Sequence, residues 1–103
     1  MPQNMTFMQP KPSSLSPAII SNTTTLISIG SGCVFNGLLI GVAGTSWTIQ
    51  AFNGNPSSGG RLLGTFSGDV VGPVISPMLA CPNGLYVVTS GTTPGSVVVC
   101  YNA

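Results

Sequence analysis

The chain has no histidine and no glutamate, and its charged residues are Lys11, Arg61 and Asp69 alone. Each absence removes a class of chemistry. General acid–base catalysis needs a titratable group within hydrogen-bond reach of the reacting proton. Paired-carboxylate hydrolysis needs two carboxylates, and Asp69 is single. A Ser or Cys nucleophile needs an activating base, and only Lys11 and Asp69 are on offer. Asp69 follows Gly68 and reads as an ordinary turn residue. The composition therefore argues against an enzyme. It also argues against a zinc site, because histidine is absent and Cys33, Cys81 and Cys100 are scattered without C-x-x-C spacing. No cofactor is implied. The three cysteines read as buried free thiols, with a disulfide between two of them left open because spacing alone assigns no pairing.

Basic residues are as scarce as acidic ones. Each phosphate neutralised needs a Lys or Arg, and an aromatic stacking platform needs a basic groove. Lys11 and Arg61 are far apart in sequence, so nucleic acid is not an expected partner. They read as rim contacts or solvated heads, with an Arg61–Asp69 pairing conceivable in an oligomer. Long apolar runs are also missing. The best candidate, residues 34–44, is interrupted by Asn36 and several glycines, and it falls short of the ~18–20 residues of a spanning helix. Residues 1–20 are polar and Pro-rich and lack the basic start, apolar stretch and cleavage site of a signal peptide. The expectation is a chain that neither spans a membrane nor is secreted by that route.

What is present points to β structure. The 103 residues suit one domain, and they include 14 Gly and 9 Pro. Strand-like runs read as Thr24–Ile29, Cys33–Ala43, Ser46–Phe52, Arg61–Phe66, a Pro-broken run Val70–Pro77, and the pair Asn83–Gly91 and Ser96–Asn102. The last two flank Thr92-Thr93-Pro94-Gly95 and read as a hairpin. In the final run Val97, Val99 and Tyr101 alternate with Val98 and Cys100, so both faces are apolar. Such a strand is expected at the centre of a sheet, covered on one face by the core and on the other by a further layer or subunit. The prolines of Val70–Pro77 confine that run to an edge or an irregular link. No segment shows a 3.6-residue period. The fold expected is a single all-β antiparallel sandwich or jelly-roll-like domain of about seven short strands.

Residues 1–22 are of a different kind. Pro2, Pro10, Pro12 and Pro17 favour extended geometry, and the segment reads as an N-terminal arm to a domain spanning 23–103. Met5, Phe7, Met8 and Leu15 are its candidate anchors on a partner surface. Trp47 is the residue that a sugar-binding reading would use, together with Asn53 and Asn55 of the 53–60 loop. Ile49 and Ala51 share its side, so a core position is the competing reading.

Charged residues make up 3% of the chain, against ~25–35% of an ordinary soluble surface. Little repulsion keeps copies apart. Uncharged strand edges aggregate unless they are paired or covered. A closed homo-oligomer, a trimer being favoured, would cover them.

The stretch Cys33–Asn102 resembles small all-β virion proteins of tailed bacteriophages, of the head-decoration, cement or minor capsid kind. The residues that carry the likeness are Gly37-Leu38-Leu39-Ile40-Gly41-Val42, Thr48-Ile49-Gln50-Ala51-Phe52-Asn53-Gly54, Asn83-Gly84-Leu85-Tyr86-Val87-Val88-Thr89-Ser90-Gly91 and Val97-Val98-Val99-Cys100-Tyr101. The resemblance implies a non-enzymatic role on the capsid surface, assembled in the host cytoplasm, with the major capsid protein or other virion subunits as partners. A virion-surface module that recognises a host glycan or receptor is the alternative, and a tail or neck component is a third.

Overall fold

β-Branched and aromatic runs broken by Gly, Pro and Asn build strands joined by short links. The computed structural model describes residues 12–29 and 32–102. Among them are eight strands: β1 (Ser14–Leu15), β2 (Thr24–Ser28), β3 (Val34–Val42), β4 (Thr45–Asn53), β5 (Arg61–Ser67), β6 (Gly72–Ala80), β7 (Leu85–Thr93) and β8 (Ser96–Asn102). They form two four-stranded antiparallel sheets, ordered β1-β8-β3-β6 and β2-β7-β4-β5. This is the jelly-roll arrangement.

The pairing has a single centre. β4 and β5 make a hairpin closed by a 3₁₀ turn at Pro56–Ser58. Every outer ladder that joins strands of equal rank lies at matched distances from that turn: Leu38 with Val74, Thr24 with Val88, and Ser14 with Tyr101. The chain is thus one long hairpin, rolled so that successive strands alternate between the sheets except at the tip.

That topology corrects the reading of the last two runs as a hairpin. β7 pairs with β2 and β4, and β8 pairs with β1 and β3. The Thr93–Ser96 link therefore carries the chain from one sheet to the other. The reason lies in the glycines on either side. Gly91 takes a φ of 143°, and Gly95 lies against the backbone of the β3–β4 crossing, where a Cβ would stand 2.7 Å from Ala43 C and Gly44 N. The two crossings pack back to back, which only a residue without a side chain permits at position 95.

β8 does lie inside its sheet, between β1 and β3. Val97 and Val99 are fully buried on its inner face, whereas Val98 and Cys100 stay half-buried on the outer one. The Pro-broken run is an edge strand: β6, with Pro73 and Pro77, pairs with β3 alone. The core lies between the sheets. Phe35, Leu38, Ile40, Val97 and Val99 face Trp47, Ile49, Ala51, Leu85 and Val87, all at most 2% exposed. Each large side chain here contributes about 1.5–3 kcal/mol by leaving water.

Residues 14–22 run along the sandwich itself. Ser14 and Leu15 pair with Tyr101 and Cys100. The Ser16 hydroxyl accepts from Val99 N at 2.9 Å. Ile19 exchanges backbone hydrogen bonds with Val97 and is buried. The short polar Ser16 and the single apolar Ile19 suit a strand with one face on a neighbour, which Pro17 between them obscures in the sequence.

Candidate functional site

The outer face of the β1-β8-β3-β6 sheet is built by alternation along β8 and the middle of β3, between irregularities at Phe35–Gly37 and Ile40–Val42. With Leu38, Ile40, Val97 and Val99 turned inward, their neighbours must turn out. Cross-strand register then assembles two rows. One is Pro73–Leu39–Val98, and the other is Ile75–Gly37–Cys100–Leu15. Ile75 is 90% exposed, Leu15 58% and Leu39 39%. Gly37, with a φ of 115° at an irregularity in β3, is buried and contributes no side chain between Ile75 and Cys100. A Cβ there would run into the Val74 carbonyl oxygen. No charged residue belongs to either row. Arg61 opens β5 of the other sheet and Asp69 sits in the β5–β6 link, where its carboxylate accepts from Trp47 N at 2.8 Å.

The other predicted site residues fall elsewhere. Met5, Phe7 and Met8 lie outside the described residues. Leu15 belongs to the outer face just described. Trp47 is 1% exposed, which removes it as a surface stacking platform; it turns inward with Ile49 and Ala51. Asn53 and Asn55 are occupied in holding the hairpin tip. The Asn53 side-chain oxygen accepts from Asn83 N at 3.0 Å, and that of Asn55 from Ser57 N at 2.9 Å. A groove of about 310 Å³ runs between residues 16–21 and β2, lined by Ile20, Leu26 and the hydroxyls of Ser21, Thr23 and Thr25. It holds no titratable group.

Three polar residues not singled out in the sequence lock the structure. Asn22 accepts from the Trp47 indole N–H at 2.9 Å and donates to Gly91 O at 2.9 Å. Buried Thr89 donates to Ser21 O at 2.6 Å and accepts from Thr23 N at 3.0 Å. Ser16 is the third. Thr89 stands out in the sequence as a polar residue on the apolar side of Leu85 and Val87; Asn22 carries no such signal. Asn22→Ala leaves a buried indole N–H without its acceptor. We expect a loss of about 1–3 kcal/mol in stability, measured by urea unfolding.

Among the described residues no three His, Cys, Asp or Glu side chains gather where they could hold a metal ion. No helix among them is long and apolar enough to cross a membrane. The cysteines are free. Burial, with a smaller contribution from neighbouring Cys33, pushes the Cys81 thiol up to about 11. Burial also raises that of Cys100. Comparison with protein-family models, with curated proteins and with solved structures finds no match in any of the three.

Proposed function

We propose that the chain is a non-enzymatic structural subunit of a phage virion, decorating or cementing the capsid as a homo-oligomer, with its N-terminal residues packing on the capsid or on neighbouring copies. The observation that carries this reading is the uncharged apolar outer face of the β1-β8-β3-β6 sheet. Monomeric proteins rarely leave apolar patches larger than a few hundred Å² in water, and Ile75 at 90% exposure gains nothing from the fold of its own chain. The jelly roll is an architecture that recurs in viral capsid domains, which is support by analogy of fold alone. Burial of Trp47 speaks against the glycan-binding alternative.

Light scattering on the full chain is expected to give an oligomer, and Ile75→Asp to lower its mass to that of a monomer. Because Ile75 makes no core contact within its own chain, the variant should still unfold in one cooperative transition, which separates lost assembly from lost fold. The virion role is read by sedimenting the chain with phage heads stripped of accessory proteins. A monomer that stays in the supernatant, unaffected by Ile75→Asp, would overturn the reading.

A further inference from the structure

Beyond the end of the β3–β6 ladder the two strands still face each other. The ladder pairs Phe35 with Leu79 and Val34 with Ala80, so the next directly opposed residues are Cys33 and Cys81. Their backbones are joined: Cys81 N donates to Cys33 O at 2.7 Å. In an antiparallel ladder such a hydrogen bond joins residues directly opposite each other, with Cα atoms ~5.5 Å apart. A disulfide spans Cα separations of ~4.4–6.8 Å. Both side chains also turn the same way. Cys33 and Cys81 are 1% and 0% exposed and share the inner face with Phe35 and Leu79. Cys100 lies on the opposite face of the sheet, opposite Leu15.

We propose that Cys33 and Cys81 form a dithiol site that a small-molecule disulfide oxidises to an intrachain cross-strand disulfide. The thiolate of one cysteine attacks a sulfur of the reagent and releases one thiolate. The second cysteine's thiolate then attacks the mixed disulfide and releases the other. Two electrons pass from the cysteine pair to the reagent, and the two cysteine protons end on the two small thiols released. The bond fastens β6, an edge strand held by β3 alone, and closes the loop from residue 33 to residue 81. Both thiols are buried, so the reagent enters only when this end of the ladder opens. Cys81, protonated at neutral pH, makes the exchange slow, and it accelerates as pH rises.

The sequence provides a direct readout. Trypsin cuts after Arg61 and not after Lys11, which precedes Pro12, so the single cut falls between Cys33 and Cys81. The full chain is incubated with oxidised glutathione at alkaline pH, or refolded into it from urea to remove the access barrier. It is then alkylated in denaturant and digested. The expected result is a monomer lighter by two hydrogen atoms, alkylated on Cys100 alone, whose tryptic halves stay joined until reduced. Its unfolding temperature should exceed that of the reduced chain by roughly 5–15 °C. Three alkylated cysteines, glutathione adducts without a cross-link, or a link that uses Cys100 would each overturn the proposal.

Discussion

Removing residues 1–20 is expected to abolish cooperative unfolding, whereas removing residues 1–11 leaves every contact described above in place. The longer cut takes away β1, the Ser16 hydroxyl on Val99 N, the backbone bond from Ser16 N to Val99 O, and the exchanged pair between Ile19 and Val97. It also strips buried Ile19 from the core. At about 1 kcal/mol net for each of these four hydrogen bonds and about 2 kcal/mol for the isoleucine, the loss is roughly 6 kcal/mol. The whole stability of a domain this size is only ~5–15 kcal/mol. The cut also turns β8 into a bare edge, which invites pairing with other chains. Circular dichroism melts of the two truncations decide the matter. A sharp, unshifted transition for the longer cut would mean that residues 14–20 contribute nothing to the sandwich. Anchoring by Met5, Phe7 and Met8 is therefore to be tested with the cut at residue 11, since the longer cut would confuse lost binding with lost fold.

Gly95→Ala should be comparably damaging. The new methyl would meet backbone on every side: the Val42 carbonyl oxygen, Ala43 C and Gly44 N. None of these is the free end of a side chain that can swing away, so one of the two sheet crossings must move. A cost of about 3 kcal/mol is expected, at the upper end of overpacking penalties. Gly41→Ala is the control. It lies on exposed β3 backbone with nothing nearer than 3.9 Å to a new Cβ, and its change should be neutral or slightly stabilising. Chemical denaturation of both variants would show the contrast. Equal stabilities would mean that the crossings are loosely packed.

Much of the architecture was legible because alternation of apolar and polar residues is a local property. Trp47, Ile49 and Ala51 could be placed on one face from their spacing alone, and Pro73 and Pro77 marked an edge because proline cannot donate to a second neighbour. Partner choice was not legible. Thr92-Thr93-Pro94-Gly95 has the composition of a hairpin turn, and whether it returns the chain to the same sheet depends on what packs beneath Gly95, some fifty positions back along the chain. The same limit hid β1. Two residues between prolines carry no periodic signal, and their strand character comes entirely from Cys100 and Tyr101 at the far end of the chain. The outer apolar face was readable in the doubled pattern Val97 to Cys100. Its exposed partner Ile75 was not, because the prolines around it break the alternation.

The nested pairing centred on Pro56–Ser58 also bears on how the protein is born. Strand β8, synthesised after the other seven described strands, stands inside its sheet and separates β1 from β3. Until it emerges, β3 has only β6 beside it, and β1 and the Ile19 segment have no strand to pair with. Contacts so distant along the chain close slowly, and exposed apolar surface is what chaperones and aggregation compete for. Folding should start at the tip and spread outward, finishing with the β1–β8 ladder. A premature stop within β8 would leave a chain lacking the middle of one sheet, beyond rescue by the strands already made.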